Sequence, residues 1–379
     1  MTSELSSLCS YAKGKVSVDT LSKRNYVSTE NMMPNKGGIV DAGALPSAQY
    51  TQQYIKDDIL VSNIRPYFKK IWMADDDGGC SNDVLVFRAD RGCDSTFLYY
   101  ILANDAFFNY ASATSKGTKM PRGDKTAIMQ YKVPCFNYET QLRIGKLLRS
   151  IDDRIAVNKK INDNLQQQLF SLYENMATAS PCLKEYTLSN LCDFQEGYVN
   201  PPQTHPEYFD GEVKWLRAVD INESFIIETS RTLTKAGFES AKKSALLFEP
   251  NTIAISKSGT IGRLGIIADY MCGNRAVINI APHDTNMLAF IYCFLKSKQR
   301  EFPDMAVGSV QKNLYVSLLE PLSVSMPDNE SLTAFNAVGA SILGMIHNNC
   351  VENTDLANLR DTILPKLMSG EIDVSSVLL

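Results

Sequence analysis

The sequence predicts an α+β (mixed α/β) protein in which two similar globular domains are separated by two long helices pairing as an antiparallel coiled coil. Three observations carry this. The chain has 379 residues, more than one ordinary core supports and enough for two or three domains. A heptad pattern of apolar residues runs through 141–176 and returns near the C-terminus. The segments before the two heptad runs match each other part by part, so the chain reads as a tandem duplication.

The first domain is placed at 1–138. Within it, KDDILVSNIRPYFKKIWMADDDGGCSNDVLVFRAD (56–90) holds short apolar runs split by Gly- or Pro-bearing loops, the pattern of strands and turns. An apolar helical stretch FLYYILAN (97–104), a basic loop SKGTKMPRGDK (115–125) and a β-like run MQYKVPCFN (129–137) complete it. A central helix follows at 139–180. Ile144, Ile151, Asn158, Leu165 and Leu172 recur every seven residues, and Leu148, Ile155, Asn162, Leu169 and Met176 form a second series offset by four. This is an a/d seam, interrupted only by asparagines, along about 36 residues or roughly 54 Å of helix.

The second domain is placed at 181–328. EPNTIAISKSGTIGRLGIIADYMCGNRAVINIAPHD (249–284), LAFIYCFLKS (288–297), VGSVQKN (307–313) and EPLSVSMPDN (320–329) parallel the parts of the first. GTIGRLG (259–265) lacks the spacing of a nucleotide-binding loop and reads as a hairpin turn. The opening of this domain has only a loose counterpart in the first, around NYVSTENM (25–32). A distal helix with a C-terminal tail fills 329–379. Adding 191 to the first seam gives Phe335, Ile342, Asn349, Leu356 and Ile363, with Gly339, Ile346, Asn353, Arg360 and Leu367. Gly339 and Arg360 depart from the pattern, while both asparagines recur in register. An antiparallel pair sets Asn158 opposite Asn353 and Asn162 opposite Asn349. A buried polar layer that fixes register and a solvated mid-helix stretch both fit this pattern.

Composition narrows the chemistry. Lys+Arg total 38 against 42 Asp+Glu, a net charge of −4, which taken alone weakens a nucleic-acid reading, whose usual footprint is a basic domain, but leaves room for a local basic patch. Nine cysteines include no CxxC pair, which disfavours disulfides and zinc alike. The N-terminus has no apolar leader region and no apolar run reaches membrane length, so a cytoplasmic protein without membrane partners is expected. The only histidines, His205, His283 and His347, sit in no ligand motif, and no nucleophile elbow is present. No metal is expected. NPPQ (200–203) is similar to the NPPY-type motif of amino-methyltransferases, but Gln203 replaces the base-stacking aromatic and no glycine-rich cofactor loop accompanies it. It reads as prolines in an extended loop. No catalytic residue and no cofactor are therefore expected in this chain.

Local charge is another matter. Arg65, Lys69, Lys70, Lys116, Lys119, Arg122 and Lys125 in the first half fall in loops rich in Gly, Ser, Thr and Asn. So do Lys214, Arg217, Lys257, Arg263, Gln311 and Lys312 in the second. Lys and Arg neutralise phosphates, and Arg, Asn and Gln read base edges. Two non-identical readers on a helical spacer imply a bipartite, asymmetric double-stranded DNA target.

The ordered set of segments resembles the specificity (S) subunits of Type I restriction–modification systems. SNIRPYFKKIW (62–72) with GGCSND (78–83) looks like a first target-recognition domain, and GYVNPPQTHPEYFDGEVKWLRAVDI (197–221) like the start of a second. GTIG (259–262) and VGSVQKNL (307–314) look like later parts of it. QLRIGKLLRSIDDRIAVNKKINDNLQQQ (141–168) and LRDTILPKLMSGEI (359–372) look like the central and distal helices. The resemblance implies a non-catalytic subunit with a target-recognition domain for each half-site. It implies helices that dock two methyltransferase (M) subunits, which hold S-adenosylmethionine and methylate adenine N6. A restriction (R) subunit is a further partner of such systems. Two other readings are a free-standing adenine methyltransferase acting through NPPQ and a structural adaptor that binds no DNA.

Overall fold

The computed structural model describes residues 2–179, 184–308 and 311–374; Cys182, the middle of the 307–313 loop and the last five residues of the tail lie outside them. The chain divides into two compact units. One runs to Arg154 and takes in the residues from Leu356 on; the other is Ile155–Asp355. Among the described residues, no helix is long and apolar enough to cross a membrane.

In the first unit, strand Ile59–Ser62 is apolar up to its last residue, Ser62, and buried on both faces. Its alternation sends Ile59 and Val61 into one core cluster and Leu60 into another, as a period of two requires. It lies at the middle of an antiparallel sheet ordered Cys9–Tyr11, Val84–Ala89, Ile59–Ser62, Ile71–Met73. Helix Ser95–Ala103, capped by the Asp94 carboxylate on the Phe97 N–H at 2.8 Å, covers one face through Phe97, Leu98 and Ile101. A second sheet is ordered Lys15–Ser17, Tyr50–Tyr54, Gly78–Cys80, Tyr26–Val27, the last pair parallel.

The second unit repeats this plan with additions. Its main sheet is ordered Cys192–Glu196, Val277–Pro282, Ile253–Ser256, Leu264–Ile267, Phe225–Ile226, and helix Leu288–Lys298 covers it with a nearly unbroken apolar surface. Its other sheet is ordered Thr232–Leu233, Phe209–Leu216, Met271–Gly273, Leu247–Phe248. Here Trp215 and Leu216 pair in parallel with Cys272 and Gly273, as Tyr26 and Val27 pair with Gly79 and Cys80. The turn after each pair is built alike. The Ser28 N–H donates to the Asn31 side chain at 2.6 Å, and the Arg217 N–H donates to the Asp220 side chain at 2.9 Å. The loose resemblance at 25–32 is thus a structural counterpart, with Ser28 in the place of Arg217.

The long helices are Tyr138–Ala179 and Asn329–Ser369, each started by a side chain that accepts an orphan N–H: Asn137 from Thr140 and Asp328 from Ser331, both at 2.8 Å. They pair antiparallel within each unit. In the first, Ile144 and Leu148 share a core with Leu364 and Leu367. Arg360 meets Asp152 at 2.6 Å, which accommodates a cation on the seam. In the second, Leu165 and Leu169 pack with Phe335, Ile342 and Ile346. Gly339 has its reason here, since a Cβ would stand 2.6 Å from that of Ala289. Ile151 is buried, while Ile155, Leu356 and Ile363 are half-buried. One seam position departs. Leu172 is 41 % exposed, and Tyr173 packs instead against the rings of Phe290 and Phe335. A straight helix lags a seven-residue repeat by ~20° per heptad, so four heptads beyond Ile144 the inward position has passed to the next residue.

The asparagines form a ladder inside the second unit. Asn158 Nδ2 donates to Asn353 Oδ1 at 3.1 Å and to Glu352 Oε2 at 2.8 Å. Asn349 Nδ2 donates to Asn162 Oδ1 at 2.8 Å. Asn158 and Asn162 are buried and Asn349 and Asn353 half-buried, so the layer is partly desolvated and hydrogen-bonded across the pair, with the buried Asn158 Oδ1 left without a partner.

Candidate nucleic-acid interface

The basic loops of the two units are built on one plan. Lys116 and Arg122 exchange backbone hydrogen bonds at 2.9 Å, and Val307 and Asn313 do so at 3.0 and 2.9 Å. The residue after each loop ties it to the end of the equivalent strand. The Gly123 N–H reaches the Asn63 carbonyl at 3.1 Å, and the Leu314 N–H reaches the Lys257 carbonyl at 2.9 Å. Gly117 and Gly308 hold the second loop position at φ +98° and +140°, backbone shapes that L side chains rarely adopt. At Gly308 a Cβ would also lie 2.2 Å from the Gln311 carbonyl oxygen. The GTIG segment is the hairpin between Ile253–Ser256 and Leu264–Ile267, with Gly259 and Gly262 at φ +77° and +85°.

The expected DNA contacts separate into neutralised and available cations. Lys69 pairs with Asp105 at 2.8 Å, Lys116 with Asp124 at 2.6 Å and Arg122 with Asp83 at 3.0 Å. Lys214 is held by Asp269 at 3.0 Å and Glu228 at 3.3 Å, and Lys257 by Glu196 at 2.9 Å. Lys70 donates to the Thr29 carbonyl at 2.6 Å, and burial lowers its pKa. These residues shape the loops as much as they charge them. Burial pushes the Glu196 carboxyl up, but Lys257 and the Tyr198 hydroxyl outweigh it and hold it below the ordinary carboxylate value. Asp105 is likewise held low, burial being outweighed by Lys69 and Lys36.

Lys119, Lys125, Arg263 and Lys312 make no ion pair among the described residues. Lys119, Lys125, Gln311 and Lys312 are exposed, and Arg65 and Arg263 half-buried. The buried Nε of Arg65 has no hydrogen-bond partner. Arg217 donates to Ser230 Oγ at 2.6 Å and lies 5.5 Å from the Trp215 ring centroid.

Two cations escape a reading of loops alone. Lys36 shares Asp105 with Lys69 at 2.9 Å. Arg231 lies over Phe209, 4.2 Å from its centroid, and 6.0 Å from that of Trp215. Its partners are distant in the sequence, so only the aromatic composition of 208–215 hinted at them.

Among the described residues, no side chains are arranged as a reaction centre. NPPQ lies in a loop outside the strands, with Gln203 in a turn closed by the His205 N–H on the Pro202 carbonyl at 3.2 Å, and the segment before it is pinned where Trp215 Nε1 donates to the Val199 carbonyl at 2.8 Å. Its exposed Gln203 accepts from Arg231 at 3.0 Å. Burial pushes the thiols of Cys80, Cys192, Cys272 and Cys293 up to about 12, which disarms them as nucleophiles. Among the described residues, no group of three His, Cys, Asp or Glu side chains comes together as a metal site.

Two α/β modules, each closed by a stretch of paired long helices and each carrying the same basic loop, define a duplicated recognition protein. The family described as the Type I restriction modification DNA specificity domain matches residues 1–167 and again 183–354, and the chain belongs to it. It is 23 % identical over 308 residues to the Type I restriction enzyme MjaIX specificity subunit of Methanocaldococcus jannaschii, covering 76 % of this chain and 71 % of that protein. It is 27 % identical over 176 residues to the HindI specificity subunit of Haemophilus influenzae, covering 45 % of this chain and 38 % of that one. The crystal structure of the Type I restriction–modification S subunit from M. genitalium superimposes with a TM-score of 0.57 at 18 % identity, covering 97 % of this chain and 96 % of the other.

Proposed function

We propose that this chain directs a Type I restriction–modification complex to a bipartite, asymmetric DNA sequence, each unit reading one half-site through its basic loop and the strand end beneath it. The chain is a non-catalytic DNA-specificity subunit, and the reaction belongs to its partners. The observation that carries the reading is the recurrence of one loop plan in both units, 116–122 over Asn63 and 307–313 over Lys257. The scaffold is common but the side chains differ, which is what two readers of different half-sites require. Lys119 and Lys125 in the first unit, and Arg263, Gln311 and Lys312 in the second, are the groups best placed to meet DNA.

Methyltransferase subunits, two in number, are proposed to dock on the outer faces of the long helices and to bring S-adenosylmethionine for adenine-N6 methylation; a restriction subunit joins where one is encoded. The outer faces carry exposed apolar residues at helical spacing, Val157 and Ile161 on one helix and Val338, Met345 and Leu359 on the other. We read their alignment along each helix as a docking face, because exposed apolar surface that is contiguous and rimmed by polar residues marks protein–protein sites. The cytoplasm, where its DNA lies, is the expected compartment. Methylome sequencing with and without the gene tests the whole reading. Loss of N6-methyladenine at one bipartite motif is expected, and an unchanged methylome overturns it.

A further inference from the structure

The second unit carries a cationic cluster that the first lacks. Trp215 ends strand Phe209–Leu216, and two guanidinium groups lie against its indole: Arg217 at 5.5 Å and Arg231 at 6.0 Å from the ring centroid. Arg231 is further stacked on Phe209 at 4.2 Å. Its Nη1 is steered by Gln203 Oε1 at 3.0 Å. Arg217 has one carboxylate nearby, Asp220 at 3.6 Å, whose oxygens are otherwise engaged by the Arg217 and Ser230 N–H groups. Arg217 Nε is buried with no hydrogen-bond partner. Arg231 has no carboxylate partner among the described residues. Like charges gathered on one aromatic platform repel each other, and a single acid does not offset two guanidinium groups. An anion placed between them satisfies both.

The first unit shows the contrast. Ser28 stands where Arg217 stands, by strand register and by the turn hydrogen bond. Asn31 Nδ2 donates to the Val40 carbonyl, whereas Asp220 Oδ1 accepts from the Ser230 N–H. The residues that follow are Asp41 and Arg231, so the charge is reversed.

We propose that Arg231, oriented by Gln203 and assisted by Arg217, grips a backbone phosphate of the DNA at the second unit's half-site, a contact with no equivalent in the first. It rests on the DNA-reading function above. The cation–π stack and the Gln203 hydrogen bond hold the planar fork in place before DNA arrives, so less side-chain freedom is lost on binding. It also assigns a role to NPPQ, whose Gln203 positions an arginine where the methyltransferase motif would stack a base.

The test uses the full-length chain purified with its methyltransferase partner, on a duplex carrying the methylated motif. Affinity is measured from 50 to 300 mM salt, on the order of the range where phosphate contacts dominate. Arg231→Met, which keeps the apolar cover on Phe209, is expected to weaken binding about tenfold at low salt. The slope of log K against log salt should fall by about 0.9, one phosphate's worth. Arg231→Lys is expected to restore most of the slope, and Gln203→Ala to weaken binding without changing it. An unchanged slope with a lowered Tm makes Arg231 a lid on the aromatic cluster and overturns the proposal. A loss confined to one base pair makes it a base reader and overturns it too. Inorganic phosphate binding tightly to the DNA-free complex, and lost in Arg231→Met, assigns a free-anion pocket and rejects the DNA assignment. Wild-type complex with no salt-dependent affinity for the motif instead fails the functional reading on which this rests.

Discussion

At the residue scale, the sequence finds cations but does not say which are spent. Lys116 and Lys119 lie in one loop, yet Lys116 is held by Asp124 at 2.6 Å while Lys119 makes no ion pair among the described residues. Lys119→Ala with Lys125→Ala is therefore expected to lower DNA affinity and reduce the salt slope by about two contacts' worth. Lys116→Ala should chiefly loosen the loop, weakening binding with little change in slope; salt titrations of both variants decide. Lys257 is a structural cation, 13 % exposed against Glu196 and 4.8 Å from the Tyr315 ring centroid. Lys257→Met is expected to cost about 1 kcal/mol at pH 7. The Glu196 carboxyl is held low in the folded chain, so its contribution is present above the unfolded carboxylate value and lost as pH falls through the folded one. The deficit of Lys257→Met should therefore shrink toward acid pH, as urea denaturation at pH 7 and pH 4 measures. A constant deficit would assign the loss to packing on Tyr315.

At the element scale, the heptad seam and its asparagines were legible because helical periodicity is local and repeats. Asn162→Leu alone removes the acceptor of the half-buried Asn349 amide, and a cost of about 1 kcal/mol is expected. Asn162→Leu with Asn349→Leu removes both polar groups and should be nearly neutral or stabilising, so denaturation of the two single variants and the double closes a cycle. Additive losses would mean that the 2.8 Å bond contributes nothing. Leu172 was the position where the heptad rule misled, since drift accumulates along a helix and Tyr173 found the aromatic pocket. The GTIG hairpin gives a backbone test. Gly262 sits at φ +85°, and a Cβ there would stand 3.0 Å from that of Phe302. Gly262→Ala is expected to lower stability by about 1–3 kcal/mol by strain and contact together, read as a fall in Tm.

At the scale of the whole molecule, the duplication makes each unit an exchangeable reader. Replacing 184–328 with the corresponding domain of another family member is expected to change one half of the methylated motif and leave the other intact. Alteration of both halves would show that the units do not read independently. The chain alone determined the tandem order, the two long helices, their asparagine register and the absence of a catalytic motif. All of these rest on periodicity and on residue types close in sequence. Only the tertiary structure decided which basic residues are neutralised, because Lys69 and Asp105, or Lys257 and Glu196, meet across dozens of residues. It also set Ser28 in the place of Arg217, through strand pairing that the divergent opening segments concealed. And it brought Arg231, Phe209, Trp215 and Gln203 together, since a stack on an aromatic platform depends on where strands and loops converge in space, which no local pattern encodes.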